Sequence, residues 1–372
     1  MVRTEAARRA GSVRTERAPD VDVQSGNSIA GSERRREAAC ARVWHAAAVP
    51  GTAAVDWNAS AALAHNALIS HFLRPMGRPG LGVARSPPRV ADRVRPNYWW
   101  QAQLLDVLVD AYERAPEWVT SRRMRRLVVG QRLANGGRLS NAYYDDMAWM
   151  ALALLRAGRH REAQGLWRTI RAAWNDHHGG GIPWRVQQPT YKNTPANGPA
   201  AILAARLGER EWAARIVDWM ESVLIDTVSG DVHDGIDRLG DGRLEPTWRF
   251  SYDYGVALGA ELAVGRRPVA ERIAQAGIAR CAPDGVLRDE NGGDGALFKG
   301  IFARYLTLLD TDQARRVVLA TARAYWEHRD RAGRFGPDPR QRPGGPVELS
   351  TMLSGVMTVE AAARMQRSRS TT

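Results

Sequence analysis

The sequence predicts an all-α protein, an (α/α)6 barrel in which six helical hairpins form a closed toroid. Apolar residues recur at spacings of three and four in twelve successive segments, which is the period of an amphipathic helix. The alternating pattern of a β-strand is almost absent. The links that follow the even-numbered helices are very short, whereas those that precede them are mostly long. A two-helix repeat explains this alternation, with an open helical solenoid as the alternative architecture.

The predicted helices follow one another from residue 57 to residue 365. In chain order they span 57–73, 99–115, 118–132, 141–157, 159–175, 195–207, 209–225, 250–264, 268–281, 295–310, 312–328 and 347–365. Glycine marks the short turns, as at Gly158 and Gly208. The long links are 74–98, 176–194, 226–249, 282–294 and 329–346, and only the link 133–140 breaks the rule. Long loops that recur at one phase of the repeat should build one face of the toroid, and long loops are often functional.

The segments on either side of the helical region lack any regular period. Residues 1–50 carry Arg, Glu, Ser and Gly and are expected to form a disordered basic tail. The barrel domain is predicted for 51–366, and 367–372 are expected to fray. The sequence contains no run of 18 consecutive apolar residues, so no transmembrane helix is expected. No signal-like apolar segment precedes the barrel, which predicts a cytoplasmic protein, or an extracytoplasmic one if translation starts elsewhere.

Composition excludes some classes of protein and favours another. The formal net charge is +13, but the only lysines are Lys192 and Lys299, and the arginines are spread along the chain, so nucleic-acid binding is not expected. Two cysteines, Cys40 and Cys281, cannot build a disulfide framework and are expected to be free buried thiols. Thirteen tryptophans against five phenylalanines fit a protein that stacks aromatic faces on sugars.

The segment 140–149 contains a candidate catalytic pair. Ser140 or Asn141 can cap the helix that follows, and Asp145 and Asp146 lie near its start, where the helix dipole favours negative charge. The favourable interaction of negative charge with the helix dipole is by itself one explanation for two aspartates at this position. The apolar run that follows places the pair beside a buried helix, where two carboxyl groups need separated pKa values. Such a pair is what glycosidic bond cleavage requires.

The long loops are rich in glycine, asparagine, aspartate and tryptophan. The segments 179–185, 192–198, 231–237 and 289–295 carry most of these residues. Taken singly they are ordinary turn formers, but together on one face they predict a polar, aromatic cleft. The acidic loops also suggest calcium, yet neither has the EF-hand pattern, so no metal and no cofactor are expected.

Several ordered segments resemble glycoside hydrolase family 76, the endo-acting α-1,6-mannanases. The Tyr-Tyr-Asp-Asp-Met-Ala-Trp segment at 143–149 is similar to the paired-aspartate motif of the family. The other matching segments are 98–103, 180–184, 192–194, 197–200, 234–236 and 298–306. The similarity covers roughly residues 57 to 365. One block departs, because residues 251–255 read Ser-Tyr-Asp-Tyr-Gly where the family usually has Thr-Tyr-Asn-Gln-Gly.

The resemblance implies an (α/α)6 barrel that hydrolyses α-1,6-mannosidic linkages with retention of configuration, with Asp145 as nucleophile and Asp146 as general acid/base. The implied substrate is α-mannan or a mannosylated glycan or glycolipid. The residues expected to stack on mannose or bond its hydroxyls are Trp99, Trp100, Tyr144, Trp184, Asn193, Asn197, Asp234 and Tyr252. Lys299 is expected either to pair with a loop aspartate or to contact substrate.

Three other functions remain open at this stage. A mannan transglycosylase would use the same site, and a non-catalytic glycan-binding toroid would keep the aromatic residues and lose the acids. An epimerase on the same scaffold would need histidines on inner helices, whereas His177, His178 and His233 lie in predicted loops.

Overall fold

The structure is a computed structural model that describes residues 55–73, 80–89 and 96–370. These residues contain twelve α-helices, as predicted. The helices are α1 Trp57–Phe72, α2 Tyr98–Arg114, α3 Trp118–Ala134, α4 Tyr144–Arg156, α5 His160–Ala172, α6 Thr194–Arg206, α7 Arg210–Val223, α8 Ser251–Ala263, α9 Arg267–Cys281, α10 Gly295–Leu306, α11 Asp312–His328 and α12 Leu349–Ser370. The last helix runs beyond its predicted end at 365 and includes 367–370, which were expected to fray. The predicted tail 1–50, with Cys40, lies outside the described residues.

The even-numbered helices form a closed inner ring. Each packs against the next in the order α2, α4, α6, α8, α10 and α12, and α12 packs back against α2. This last contact excludes an open solenoid and confirms the predicted toroid. The odd-numbered helices pack on the outside of this ring. The inner helices are therefore covered on almost every side; in α6, for example, the first eleven residues are all buried. None of the described helices is both long and apolar enough to cross a membrane.

Glycines allow the inner helices to approach one another closely. A Cβ atom on Gly300 of α10 would lie 2.6 Å from the Ser354 Cα atom of α12. Likewise, a Cβ atom on Gly198 of α6 would lie 2.7 Å from a methyl carbon of Val256 in α8. Both distances are far below van der Waals contact, so a larger residue at either position would push two ring helices apart.

Two of the long links, predicted as loops without strands, pair in a three-stranded antiparallel sheet. Its strands are β2 Pro183–Arg185, β3 Gln188–Asn193 and β4 Gly235–Ile236, and a two-stranded pair joins β1 Arg85–Ser86 to β5 Val347–Glu348. Asn193 pairs with Gly235, which joins the link before α6 to the link before α8. A single bridge between Tyr143 and Arg185 ties β2 to the start of α4. The sheet therefore fixes three loops of one face relative to each other.

The opposite end of the ring is closed by ion pairs. Arg156 of α4 bonds Asp106 at 2.5 Å and Asp110 at 2.7 Å, and Arg304 of α10 pairs with the same two carboxylates of α2. Burial alone would raise the pKa of Asp110, but the guanidinium groups of Arg304 and Arg156 outweigh it and hold this pKa at about 2. The network joins three ring helices, and its Asp110 carboxylate stays ionised at neutral pH.

Replacing Gly300 by alanine should lower the free energy of unfolding by about 1–3 kcal/mol, because the added methyl group meets the α12 backbone. Urea unfolding monitored by circular dichroism measures the loss. The matched control is Gly165→Ala in the outer helix α5, where a Cβ atom has no neighbour within 4 Å. That substitution should stabilise the protein by about 0.5–1 kcal/mol through helix propensity. Equal effects at the two positions would contradict the close-packed ring.

Candidate active site

A cavity of about 510 Å³ opens among the long loops, at the amino ends of the inner helices. Its wall combines carboxylates, aromatic rings, amides and two guanidinium groups. The lining residues are Trp99, Asp145, Trp149, Trp184, Arg185, Gln188, Tyr191, Asn193, Asp234, Arg238, Trp248, Phe250, Tyr252, Asp294 and Phe298. An aromatic cavity with a few convergent carboxylates is the typical form of a site for a polar organic ligand.

Asp145 lies in the first turn of α4 and faces this cavity. One carboxylate oxygen accepts a hydrogen bond from the Asp146 backbone N–H at 2.8 Å, and the other accepts one from the Trp184 indole at 2.9 Å. Burial raises the pKa of Asp145 to about 7, although both hydrogen bonds oppose the shift by stabilising the ionised form. The carboxyl group is thus held by two donors and titrates near neutrality.

Asp146 has a different environment from its neighbour. Its Oδ2 atom accepts a hydrogen bond from the Asn141 amide at 2.7 Å, and the side chain does not line the cavity. Burial raises the pKa of Asp146 well above the ordinary carboxyl value, and the adjacent Asp145 charge raises it further. Asn141 also accepts a hydrogen bond from the Tyr143 N–H at 2.9 Å, which orders the turn before α4. The two adjacent acids therefore differ in their hydrogen-bond partners and in their access to the cavity, and burial raises the pKa of both.

A third carboxylate, that of Asp294, faces the cavity from the amino end of α10. Its Oδ1 atom accepts hydrogen bonds from the indoles of Trp99 and Trp100, both at 2.8 Å. Trp99 lines the cavity, as predicted. Trp100, which was also expected to stack on sugar, is only 7% exposed, bonds Asp294 through its indole and does not line the cavity. Sequence analysis placed Asp294 in an acidic loop without identifying it as part of the site.

Asp234 projects into the cavity from the loop before α8. It accepts hydrogen bonds from the hydroxyls of Tyr191 at 2.9 Å and Tyr252 at 3.3 Å. Burial raises the pKa of Asp234 to about 6, and the charge of Glu245 adds to this shift. The Tyr252 ring stacks on Phe298 with 3.8 Å between the centroids. The structure thus brings Asp234 and Tyr252 together in the cavity, as the sequence predicted.

The predicted amides separate into one cavity residue and one scaffold residue. Asn193 lines the cavity and caps α6 by accepting a hydrogen bond from Ala196 N–H at 3.2 Å. Asn197 is fully buried, bonds both backbone groups of Ile182 and donates to the Asn193 carbonyl. Both amide hydrogens and the amide oxygen have backbone partners, so Asn197, which was expected to bind sugar, instead holds the segment before β2 against α6 and does not line the cavity. Tyr144, the first residue of α4, does not line the cavity either.

Two arginines of the cavity wall were not among the predicted site residues. The Arg185 guanidinium lies over the Trp184 ring at 4.7 Å, and that of Arg238 lies over Trp248 at 4.4 Å. The neighbouring Trp184 was a possible signal for the first contact. The second is made by residues ten positions apart in a link with no regular period, so no local pattern indicates it.

The two lysines of the chain are buried and hold loops in place. Lys192 donates hydrogen bonds to the carbonyls of Asn175, His177 and Gly180, which fixes the glycine-rich segment before β2. Lys299 lies 3.7 Å from an Asp289 carboxylate oxygen, which confirms the predicted pairing with a loop aspartate. The acidic loop before α10 thus uses its carboxylates on protein groups, and this arrangement does not support the calcium interpretation.

The block that departs from the family pattern begins α8 and carries a buried acid. Asp253 accepts a hydrogen bond from the Phe250 N–H at 3.2 Å through Oδ2, whereas its Oδ1 atom has no partner. Burial raises the pKa of Asp253 well above the ordinary value, with the charges of Asp234 and Glu290 adding to it and that of Arg249 opposing it. The Asp253 carboxyl group therefore keeps its proton to a higher pH than an exposed aspartate does.

Comparison with known proteins identifies one family. The model of glycosyl hydrolase family 76 matches residues 56–334. A solved structure of the Lin0763 protein from Listeria innocua is 32% identical, with a TM-score of 0.79. The match covers 84% of this chain and 99% of that chain.

Two further relatives have names that describe an activity. One is a solved inactive variant of the α-1,6-mannanase GH76A of Salegentibacter sp. HEL1_6, with two consecutive aspartates replaced by asparagine, in complex with α-1,6-mannotriose. It is 33% identical, has a TM-score of 0.77, and the match covers 83% of this chain and all of that chain. The other is the mannan endo-1,6-alpha-mannosidase DCW1 of Candida glabrata, 28% identical over 141 residues, or 31% of this chain. That match covers 32% of the length of the curated relative.

Replacing Asp253 by asparagine should change how stability depends on pH. In the wild type the unfolded carboxyl ionises near a pH of about 4 while the folded one keeps its proton, so stability falls as pH rises from about 4 towards the raised folded pKa. Asparagine cannot ionise and removes this fall. Melting temperatures of both proteins between about pH 5 and 8 should show a difference that grows with pH in favour of the variant. A difference in melting temperature that does not change with pH would contradict a raised pKa of Asp253 in the folded protein.

Proposed function

Because this chain belongs to glycosyl hydrolase family 76, we propose that it cleaves α-1,6-mannosidic linkages in mannan-type glycans. The observation that carries the proposal is a pair of adjacent acids in the first turn of α4, of which Asp145 lines the cavity and Asp146 lies beside it with a different hydrogen-bond partner. The inactive mannanase variant with two consecutive aspartates replaced supports it, since that relative is 33% identical and the match covers 83% of this chain and all of the relative. A purely glycan-binding protein has no use for such a pair.

The mechanism we propose is a retaining double displacement. Asp145 is the nucleophile, because it faces the cavity and receives two hydrogen bonds that stabilise its ionised form. Asp146 is the general acid/base, because burial and the adjacent Asp145 charge raise its pKa and so favour the form that carries a proton. Retaining enzymes place the two carboxyl groups about 5–5.5 Å apart, which neighbouring residues in one helical turn can achieve.

Each step balances in atoms and charge. In the first, the Asp145 carboxylate attacks the anomeric carbon, the glycosidic C–O bond breaks, and Asp146 gives its proton to the leaving oxygen. In the second, Asp146 takes a proton from water, whose oxygen attacks the anomeric carbon, and the Asp145 carboxylate leaves. If a sugar hydroxyl replaces the water, the same site becomes a transglycosylase.

The rest of the cavity would recognise mannose. Trp99, Trp184 and Tyr252 present aromatic faces for stacking on the sugar ring. Asn193 and Asp234 supply polar groups that can bond its hydroxyls. Asp294 is a third acid on the same wall, and its two indole donors hold it in an orientation facing the substrate.

The first test is product analysis on linear α-1,6-linked manno-oligosaccharides. The wild type should release shorter oligosaccharides, and Asp146→Asn should lower the rate by about a hundredfold to ten-thousandfold, with Asp145→Asn at least as severe. The matched control is Asp312→Asn, which removes an exposed aspartate from the first turn of the outer helix α11 and should leave the rate unchanged. Products longer than the substrate would indicate transglycosylation. Cleavage that survives in Asp145→Asn would contradict the nucleophile assignment, and initial release of the β-anomer in proton NMR would contradict retention.

The pH profile tests the role of Trp184. Because Asp145 must be ionised to attack, kcat/KM of the wild type should fall as pH drops through about 7. Trp184→Phe removes the indole hydrogen bond that lowers the pKa of Asp145, so the acid limb should move to higher pH. Trp149→Phe is the control, since Trp149 lines the same cavity without bonding Asp145 and should change the rate without moving this limb. An unmoved limb in Trp184→Phe would show that another group controls it.

A further inference from the structure

The outward face of α3 is unlike that of the other outer helices. Trp118, Val129 and Leu133 of this helix are 72%, 56% and 69% exposed. In the described part of the chain, the only other helix with an exposed large apolar side chain is α2, which carries Tyr112 close to the turn into α3. Single exposed apolar residues are ordinary on a protein surface, but three on one helix face are not.

The same face is strongly cationic. The helix contains five arginines and no acidic residue, and Arg122, Arg125, Arg126 and Arg132 are exposed. Arg125 donates a hydrogen bond to Ser121, and Arg132 approaches a carboxylate of Glu162 no closer than 3.9 Å. Little of this positive charge is neutralised within the protein.

The exposed residues interleave along one stripe. At 100° per residue, the seven exposed side chains fall within about 120° of the helix circumference. The apolar side chains lie within this stripe, Arg125 and Arg132 lie at one edge, and Arg126 lies at the other. The opposite side of α3 packs against the barrel through Met124, Leu127 and Val128, so the stripe is presented by a helix that is already folded.

The outer helix α11 shows the contrast. Its exposed charged residues are Arg316 and Arg323 together with Asp312 and Glu327, so cations and acids are mixed. It exposes no large apolar side chain. The combination on α3 is therefore not a general consequence of an arginine-rich sequence.

We propose that the α3 face, defined as Trp118, Arg122, Arg125, Arg126, Val129, Arg132 and Leu133, docks on an anionic lipid bilayer. The guanidinium groups would bond headgroup phosphates, and the tryptophan, valine and leucine side chains would enter the interface between headgroups and acyl chains. A polyanion such as a nucleic acid would use the arginines alone, so the interleaved apolar residues favour a bilayer. The inference concerns this surface and does not depend on the proposed enzymatic activity.

Docking on this face would orient the cavity. The α3 helix forms a hairpin with the ring helix α2 and lies on the flank of the toroid. A bilayer against this flank would leave the loop face free, with the cavity opening along the membrane surface. A glycan chain anchored in the same bilayer could then enter from the side.

Co-sedimentation of the full chain with vesicles tests the proposal. The protein should bind vesicles of mixed phosphatidylglycerol and phosphatidylcholine, bind pure phosphatidylcholine vesicles much more weakly, and lose affinity as salt rises. The double variant Arg122→Glu/Arg125→Glu should lose about tenfold or more of the partition coefficient. The matched control is Arg316→Glu/Arg323→Glu on α11, which makes the same change in net charge and should retain more than half of the binding.

A second variant separates lipid docking from simple charge attraction. Trp118→Ser/Leu133→Ser keeps every arginine and should weaken binding several-fold. Unchanged binding in this variant, or equal losses in the α3 and α11 charge variants, would overturn the proposal. Hydrolysis of soluble manno-oligosaccharides and far-ultraviolet circular dichroism serve as controls for folding. Vesicle binding by a protein with no hydrolytic activity would support the α3 face while contradicting the proposed function.

Discussion

The closure of the inner ring, through the packing of α12 against both α10 and α2, is the constraint on which the rest of the structure depends. Closure brings the amino ends of six helices to one face, and the long links gather there because the outer helices return the chain to that face each time. The ion pairs among Asp106, Asp110, Arg156 and Arg304 occupy the other end. The toroid thus has one end built of charge pairs and one end built of loops, and the cavity forms in the loops.

The loops keep a defined shape because buried polar groups hold them. Asn197 bonds both backbone groups of Ile182, and Lys192 bonds three carbonyls of the preceding segment. The segment fixed in this way carries Trp184, whose indole reaches Asp145. A buried amide or ammonium without partners would be costly, so these loops have few alternative conformations of comparable energy. The environment of the catalytic pair is therefore set by residues that never contact substrate.

Most of the fold was predictable from the sequence, because helix period and link length are local properties. All twelve helices and the adjacent acids Asp145 and Asp146 follow from patterns within short segments, whereas the link lengths alone fit both a closed ring and an open solenoid. The roles of Asp294 and Asn197 do not follow from such patterns. Asp294 meets Trp100 almost two hundred residues away in sequence, and β4 pairs with β3 only because the link before α8 lies beside the link before α6. Trp100 was expected to stack on sugar because the segment 98–103 resembles an aromatic inner helix of the family. Long-range pairs of this kind leave no periodic signal.

The burial of both lysines has a consequence for the chemical reactivity of the chain. The sequence contains only Lys192 and Lys299, and both side chains are inaccessible to solvent. The surface cations of the described residues are arginines, which do not react as amines at neutral pH. Amine-directed acylation and crosslinking therefore find no accessible lysine in the described part of the folded barrel. Unfolding exposes the two ammonium groups together, so lysine acylation is an intrinsic chemical reporter of the fraction of molecules in which the ring has opened.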